Sequence, residues 1–409
     1  MVTVPVTVPV PPVGVRPGYW HVPDDGMVSR SARARGTGPY EATLPAPLAH
    51  ADLTVPLDLS AAVSDAEKAL VRYDSLADAR LGAGNAAVGP MSSILLRTES
   101  ASSSQIEDLT VGARQLALAE LQESRSANAT AVLANVRTME AALRLADTLD
   151  LEAILAMHRE LLQGTRGLAG REAGQLRSSL VWVGKDGSSP RHAVHIAPEA
   201  EDVPAAMTDL ITFIGRQDLP ILVHAAIAHA QFETIHPFAD GNGRTGRALV
   251  HAMLHGKGLL TRQTAPVSSG LLHRHGDYIE ALTAFRRGDA GPIIEQFVLA
   301  ALFAAQTGSE LIEELAAVLD RCREQLTGLR PHATAWRVLP LLVGNPVVNT
   351  PYLEAQLGVS AMTALRALGQ LTDAGILQEA TGRSRNRVWV QKDVLSILDA
   401  YAERARRRA

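Results

Sequence analysis

The chain has 409 residues, of which 46% are hydrophobic and 20% charged, and its net charge is −4. These values predict a globular protein of two or three domains, and they exclude a global electrostatic attraction to nucleic acid or to anionic membranes. A single cysteine, Cys322, excludes an intramolecular disulfide. No apolar run approaches the roughly 20 residues of a membrane span, and the N-terminal "VTVPVTVPVPPVGV" lacks the features of a signal peptide. We therefore expect a soluble, cytoplasmic protein with no membrane partner.

Residues 1–45 are rich in proline, valine and glycine and show no helical period, so we expect an extended, partly disordered segment. Any strand-like part of it should pack on the following domain. From "DLSAAVSDAEKALVRYDSL" onward, apolar residues recur at helical spacing, and Ser60, Ser126 and Asp150 are suitable N-caps. The predicted helices cover 60–82, 102–124, 127–148, 150–163, 200–217, 219–235, 243–257, 276–287 and 290–328.

Two stretches interrupt this helical pattern. In "LRSSLVWVGKDGSSPRHAVHIAP" apolar and polar residues alternate around the turn residues "KDGSSP", which predicts a β-hairpin. Near the C-terminus, "TPYLEAQLGVSAMTALRALGQLTDAGILQEATGRSRNRVWV" has the order helix, turn, helix and two short strands, which is typical of a winged helix-turn-helix. The expected fold class is mainly α, with a hairpin inside the helical core and a C-terminal winged helix-turn-helix domain.

The stretch "HPFADGNGRTGR" at 236–247 separates two apolar helices. Its proline ends the first helix, and Gly241 and Gly243 allow close backbone approach. The first N–H groups of the second helix lack intrahelical partners, so the helix start is suited to an anion. Arg244 and Arg247 lie three residues apart on one face of that helix, and both can bind a polyphosphate.

Two more side chains complete the chemistry of this loop. Asp240 offers a hard carboxylate oxygen beside the anion site, which suits Mg²⁺. His236 is of the residue type that best serves as a general base near neutral pH. Each residue alone fits a plain turn between helices, but the combination favours a nucleotide site. Since no GxxxxGK[ST] occurs in the sequence, its phosphate-binding device differs from a Walker loop.

The loop resembles the signature HPFx[D/E]GNGRxxR of Fic-domain proteins and matches each fixed position. The flanking "AHAQFETIHPF" and "YIEALTAFRRGD" are similar to the family as well, and the resemblance covers about 40–300. It implies an enzyme that transfers AMP from ATP to a Ser, Thr or Tyr hydroxyl of a target protein and of itself, with release of pyrophosphate. The expected domains are an extended segment at 1–45, a helical region at 46–148, a Fic core at 149–300, a connecting helix at 301–330 and the winged helix at 331–409.

The resemblance also implies a role for each loop residue. His236 would deprotonate the attacking hydroxyl, Asp240 would hold Mg²⁺, and Arg244 and Arg247 would bind the β- and γ-phosphates. The Asn242 side chain would join the backbone N–H groups in binding phosphate oxygens. The implied nucleotide-binding residues are Gly241, Asn242, Gly243, Arg244, Thr245, Gly246, Arg247 and, beside the adenine, Tyr278.

Two of these expectations have alternatives. Tyr278 fits a core position of an amphipathic helix equally well. The hairpin at 177–197 either covers the helical core or corresponds to the family's flap, which binds the target segment as an added strand. Arg177, at the entry to this hairpin, is expected to be a structural ion-pair partner.

An upstream stretch, "TESASSSQIEDL" at 98–109, resembles the family's inhibitory motif [S/T]xxxE[G/N], with Ser103 and Glu107 in the matching places. A Glu107 carboxylate paired with Arg247 would occupy the group that binds the γ-phosphate, which implies autoinhibition. Asp108 stands where the motif has Gly or Asn. The alternative is the start of a serine-capped helix, with Glu107 as a solvated acid in its first turn.

Other polar patterns carry less information. His251 and His255 share a helix face, but without HExxH or a third ligand we expect packing or solvation rather than zinc binding. The wing of the winged helix carries Arg383, Arg385 and Arg387, whereas its second helix offers few basic residues. DNA, a target protein and a second subunit, including a homodimer, all stay open as partners.

Two other functions stay open beside AMP transfer. A Doc-type phosphotransferase has a similar loop with lysine at the second glycine, which is Gly243 here, so AMP transfer is favoured. A DNA-binding regulator with a nucleotide-sensing Fic core would bind specific DNA without labelling protein.

Overall fold

The computed structural model describes residues 7–24, 29–81, 85–165, 168–184, 187–380 and 387–406. They form a mainly helical protein with small antiparallel sheets, which confirms the expected fold class. Within these ranges, no helix combines the length and the apolar character needed to cross a bilayer. The chain divides into two compact units: unit 1 comprises 1–64, 141–257 and 276–298, and unit 2 comprises 65–140, 258–275 and 299–409.

The elements are numbered in chain order. Helices α1 to α9 cover Arg30–Gly36, Leu57–Leu81, Val88–Gln105, Ala113–Glu120, Ala127–Arg144, Leu151–Leu162, Leu168–Arg171, Val203–Ile214 and Ile221–Ile235. Helices α10 to α17 cover Asn242–Gly256, Val267–His273, His275–Arg286, Gly291–Gln325, Thr334–Gly344, Thr350–Leu357, Ala361–Asp373 and Lys392–Arg406. Strands β1 to β7 cover Gly14–Trp20, Gly38–Leu44, Trp182–Val183, His195–Ile196, Val347–Asn349, Gln378–Glu379 and Val388–Val390.

The centre of unit 1 is the helix α9, whose residues from Leu222 to Ile235 are all buried. It packs against α8 and α10, and α10 also contacts α6. Gly246 permits the close approach of α9 and α10, because a Cβ there would lie 2.9 Å from Cδ1 of Phe232. The two helices that flank the 236–247 loop are therefore held rigidly in the core, which fixes the loop between them.

The N-terminal segment is more ordered than its composition predicts. β1 and β2 form an antiparallel hairpin that runs from Gly14 opposite Leu44 to Trp20 opposite Gly38. Trp20 contacts Trp182 edge-to-face at 5.1 Å and donates from Nε1 to the Ser188 carbonyl at 2.9 Å. Partners more than 160 residues away thus order this hairpin, and they lie in the expected Fic core at 149–300 rather than in the helical region at 46–148 that follows the hairpin. Residues 1–6 and 25–28 lie outside the described part of the chain.

The predicted hairpin within the helical core is present. β3 pairs antiparallel with β4, with Trp182 opposite Ile196 and Val183 opposite His195. We refer to residues 177–197 as the flap; within it, 185–186 lie outside the described residues.

In unit 2, α3 packs against α11, α14 and α17. Glu99, fully buried in α3, accepts from the backbone N–H of Ser268 at 2.9 Å. The order α14, β5, α15, α16, β6, β7 and the strand order β5-β7-β6 agree with a winged helix-turn-helix. The wing residues 381–386, with Arg383 and Arg385, are not described. Arg387 stacks over Trp389 at 4.7 Å.

Several predicted helix boundaries are wrong. The helix expected at 102–124 is replaced by the end of α3, a turn and the short α4, while α11 and α17 were not predicted. The misleading signal was the serine run, which fits an N-cap. Instead, Ser100 and Ser104 lie inside α3 and donate to the carbonyls four residues earlier, each at 2.9 Å. Serines can satisfy their hydroxyls in this way within a helix.

Candidate active site

The loop between α9 and α10 begins at His236, which has a left-handed backbone with φ 49° and ψ 62°. Its N–H still donates to the Phe232 carbonyl at 2.8 Å, so His236 caps the end of α9. Left-handed backbone is uncommon for residues other than glycine and here turns the chain sharply away from the helix axis. The imidazole is consequently placed at the rim of the loop, with 19% of its side chain exposed.

The middle of the loop is closed by Asn242. Its Oδ1 accepts from the Phe238 N–H and its Nδ2 donates to the Phe238 carbonyl, both at 2.8 Å. Phe238 is fully buried and stacks on His158 at 3.7 Å between ring centroids. This packing anchors the loop in the core of unit 1. The Asn242 side chain closes the loop by these two bonds. We therefore expect the backbone N–H groups around it, rather than its side chain, to bind phosphate.

Asp240 lies just before α10, with 55% of its side chain exposed. Its Oδ1 accepts from the Gly241 N–H at 2.7 Å and is 3.7 Å from Nη2 of Arg244. Behind it, burial lowers the pKa of His158 to about 4. His158 is therefore neutral, accepts from the Gly174 N–H at Nδ1 and bonds the Asp240 carbonyl through Nε2.

The donor set at Asp240 fits one type of cation. In the described residues, no group of three or more His, Cys, Asp or Glu side chains gathers into a metal site. A single accessible carboxylate beside a helix N-terminus suits Mg²⁺, which is commonly held by one or two carboxylates together with substrate phosphates. The residues present therefore fit Mg²⁺ bound jointly with a polyphosphate.

Two arginines on α10 give the loop its positive charge. The side chains of Arg244 and Arg247 are buried, with Arg244 at 6% and Arg247 at 2% relative exposure. Burial and then the charge of Arg247 lower the pKa of His229 to about 3. The first N–H groups of α10 add the positive end of the helix dipole, since Gly241, at φ 78°, makes no side-chain cap. Gly243, Thr245 and Gly246 follow in this first turn and a half.

Tyr278 lies in the core of unit 1. It is 2% exposed, and its hydroxyl is 2.8 Å from Nε2 of His229. Of the two interpretations of this residue, the packing favours the core position. His251 is likewise buried on α10, in agreement with a packing role.

The structure brings further residues to His236 that the sequence did not single out. Oε2 of Glu233 lies 3.8 Å from Nδ1 of His236, one helical turn earlier. The His195 ring lies 6.4 Å from the His236 ring. An acid three residues before a candidate base on a helix is a signal that could have found Glu233. His195 comes from the flap, and nothing local in the sequence connects it with the loop.

Arg177 does not form the expected ion pair. Its side chain donates to the carbonyls of Ser179, Pro198, Ile235 and His236, at 2.8, 2.6, 3.4 and 2.8 Å. Burial lowers the pKa of this guanidinium to about 10. The end of α9, with its Ile235 and His236 carbonyls, favours a cation there, and the charge of Glu199 acts in the same direction.

The segment that resembles an inhibitory motif lies in unit 2. Ser103 is fully buried in the last turn of α3, and Glu107 follows two residues after the helix ends. The alternative, a serine-capped helix start with Glu107 in its first turn, is therefore wrong. Asp108 has φ 61°, so this position adopts the left-handed region that favours glycine and asparagine.

The fold and this loop define a class of protein: a helical domain in which a loop with a histidine, and with a helix N-terminus suited to an anion, joins two buried helices. Residues 148–254 match the Fic/DOC family. A solved structure of a Fic family protein from Desulfovibrio desulfuricans G20 superposes with a TM-score of 0.51 at 23% identity, covering 83% of this chain and 97% of that one. At this identity the likeness concerns the fold alone. The match to the Fic/DOC family thus concerns the domain at 148–254.

Curated relatives match the same part of the chain. Protein adenylyltransferase Fic from Nematostella vectensis is 32% identical over 156 residues, which are 37% of this chain and 32% of that protein. Protein adenylyltransferase Fic from Aedes aegypti is 30% identical over 151 residues, which are 36% of this chain and 27% of that protein. The chain thus spans about a third of the length of these relatives.

Proposed function

We propose that this protein is an adenylyltransferase that transfers AMP from ATP to a hydroxyl of a Ser, Thr or Tyr in a target protein and in itself. The main support is the arrangement of the 236–247 loop. His236 stands at the end of one buried helix, while the N-terminus of the next helix supplies N–H groups and two arginines. The names of the curated relatives support the same activity.

In the proposed reaction, His236 takes the proton of the attacking hydroxyl. The hydroxyl oxygen forms a bond to the α-phosphorus as the bond from that phosphorus to the bridging oxygen breaks. Pyrophosphate leaves with the electron pair. Because Glu233 lies 3.8 Å from Nδ1, its carboxylate stabilises the imidazolium and leaves Nε2 to act as the base.

Charge on the phosphates is balanced by α10. Backbone N–H groups at its start and the guanidinium groups of Arg244 and Arg247 lie on the side where a polyphosphate binds a helix N-terminus. Asp240 would hold Mg²⁺ through its exposed carboxylate. When bound, Mg²⁺ supplies positive charge that neutralises phosphate oxygens. The remaining chemistry is positioning, which the buried flanking helices provide.

The target segment would run along the flap. An added strand on a short hairpin presents one hydroxyl at a fixed distance from the loop, and backbone pairing tolerates different side chains. We also propose autoinhibition by Glu107 through Arg247, a proposal supported by the resemblance of Ser103 and Glu107 to the family's motif. Release of Arg247 from Glu107 would then let this guanidinium bind the γ-phosphate and align ATP for transfer.

The test is labelling of purified full-length protein in two parallel incubations, one with α-³²P-ATP and one with γ-³²P-ATP. Wild type and Glu107→Gly are compared with His236→Ala in each. Transfer of AMP predicts label from the α-position alone, lost in His236→Ala, and an AMP adduct in the intact mass. Label from the γ-position would instead show a Doc-type phosphotransferase. Absence of label from either ATP, together with tight binding of specific DNA, would favour the regulator.

A further inference from the structure

The last carbonyls of α9 are bonded by side chains of the flap. A helix leaves its final four carbonyls without intrahelical donors. Here the Thr234 carbonyl lies 3.0 Å from Nε2 of His195, which is in β4. The Ile235 and His236 carbonyls accept from Arg177, which precedes β3. Side chains near both ends of the flap therefore bond the last carbonyls of the helix that presents His236.

Arg177 binds the flap and the loop at the same time. Besides the end of α9, it donates to the carbonyls of Ser179, near the start of the flap, and of Pro198, directly after its end. Its own N–H donates to the Pro237 carbonyl at 3.0 Å. With only 3% of the residue exposed, this guanidinium is held in one geometry by its five-donor planar fork.

A buried cation is costly, and apolar packing would serve stability at least as well. What apolar packing could not do is hold a non-glycine residue in left-handed backbone directly before a proline. The carbonyl of His236 is the group whose direction changes if that backbone relaxes, and Arg177 Nε bonds it at 2.8 Å.

We propose that Arg177, assisted by His195, is a positioning residue that fixes the backbone of His236 and sets its distance from the flap. This inference rests on the proposed AMP transfer with His236 as base. If the flap holds the target hydroxyl, then Arg177 is bonded both to the segment that carries the hydroxyl and to the backbone of the base. It therefore sets the distance between the two reacting groups. The groups around 240–247 that would bind ATP make no bond to Arg177, so ATP affinity should not depend on it.

The experiment measures the rate of AMP transfer and the Kd of ATP for folded variants of the full chain. Arg177→Lys keeps the charge but has a single donor nitrogen with three N–H groups, so it cannot bond four carbonyls. We expect kcat to fall about 10- to 100-fold, since a misplacement of about 1 Å can cost 10²-fold. The Kd of ATP should stay within about twofold of wild type. A lower kcat with an unchanged Kd is a combination that a general loss of structure would not produce.

Arg216→Lys is the matched control. Arg216 lies outside the flap and also donates to backbone carbonyls, those of Leu48 and Ala51, at 3.4 and 2.7 Å. Its side chain makes no hydrogen bond to α9 in the described structure. Its variant should therefore keep kcat near wild type. His195→Gln alters the bond to the Thr234 carbonyl. It should lower kcat less than Arg177→Lys, because the bond from Arg177 to the His236 carbonyl remains.

A double-mutant cycle separates positioning from stability. If Arg177 acts through His236, then Arg177→Lys should have no further effect on the residual rate of His236→Ala. An equal loss in both backgrounds would overturn the proposal, as would a folded Arg177→Lys protein with wild-type kcat. A parallel loss of ATP affinity would do the same. If wild type and Glu107→Gly transfer no AMP at all, the proposed function itself fails, which is a distinct result.

Discussion

In the described part of the chain, helices α3, α4 and α9 each end near a residue other than glycine with left-handed backbone, and α9 and α3 hold it in different ways. At the end of α9 this residue is His236, with φ 49°; beyond α3 it is Asp108, with φ 61°. The end of α9 is buried and its carbonyls are bonded by Arg177 and His195. The end of α3 is closed by backbone bonds, such as that from the Leu109 N–H to the Ser104 carbonyl, and Asp108 itself is exposed.

The comparison shows two ways to stabilise the same unfavourable conformation. Left-handed backbone costs residues with a Cβ about 1–2 kcal/mol. At His236 the identity of the side chain is needed for chemistry, so surrounding bonds hold the backbone. At Asp108 the residue type lowers the cost, because Asp and Asn tolerate this region better than other residues. The inhibitory motif's preference for Gly or Asn thus has a conformational reason, and aspartate is a mild departure from it.

Replacement of the base at the end of α9 should have the largest effect. His236→Ala removes the imidazole, so AMP transfer should fall by about 10²–10⁴. ATP binding should persist, because the groups on α10 remain. Labelling with α-³²P-ATP and calorimetric titration with ATP measure the two quantities. Full labelling by a folded His236→Ala protein would remove the assignment of the base.

Replacement of the expected metal ligand, Asp240, should have the second-largest effect. Asp240→Ala should weaken Mg²⁺ affinity by at least about 10–100-fold, since even residues behind a ligand contribute that much. The observable is the Mg²⁺ concentration that gives half-maximal labelling, which should rise. Asp202→Ala is a control, because this acid pairs with Arg16 and lies elsewhere in unit 1. An unchanged Mg²⁺ titration for Asp240→Ala would contradict the ligand role.

Replacement of Glu107, which follows α3, should have the opposite effect and raise activity. Glu107→Gly should raise self-labelling about ten- to hundredfold, the equivalent of a charge-assisted bond of about 1.5–3 kcal/mol. Glu107→Asp should be intermediate, since its carboxylate reaches less far. Glu107→Gly combined with Arg247→Ala should behave like Arg247→Ala alone, because both effects pass through one guanidinium. Wild-type labelling by Glu107→Gly would leave Glu107 without a regulatory role.

The structure could be predicted from the sequence where several constraining residue types fall within one short segment. The 236–247 loop could be predicted because glycines, a proline, an acid and two arginines constrain one short segment. The serine run before Glu107 failed, because buried serines can bond inside a helix as well as cap one. Arg177 and His195 could not be predicted as caps of α9, since their acceptors are backbone carbonyls about 40 to 60 residues away. Backbone acceptors leave no pattern of residue types.

A fall in pH should destabilise the region around α9 more than the region around α3. Burial lowers the pKa of His195 to about 2 and of His229 to about 3, whereas unfolded histidine titrates near 6.5. Between about pH 6.5 and these lower values the unfolded state binds more protons, so stability is lost as the pH falls. Each such histidine contributes up to about 1.4 kcal/mol per pH unit.

Urea denaturation near pH 7 and near pH 5.5 measures this loss. His195→Gln should reduce the difference between the two free energies of unfolding, while the same change at the exposed His21 should leave it unaltered. Equal pH dependence in wild type and His195→Gln would show that the buried imidazole does not stay neutral.

The smallest effect is expected at Asp108. Asp108→Gly should be neutral or stabilising within about 1 kcal/mol, because glycine adopts a φ near 61° without a Cβ penalty but is more flexible when unfolded. Asp108→Ala should destabilise by about 1 kcal/mol, since alanine has the Cβ and lacks the local hydrogen bonding of aspartate. Thermal denaturation of the three proteins gives the order. If alanine matches glycine, the left-handed turn after α3 does not limit stability, and Gly or Asn in the motif needs another explanation. If the order holds and Asp108→Gly also leaves self-labelling unchanged, aspartate supports the turn that presents Glu107 as well as glycine does.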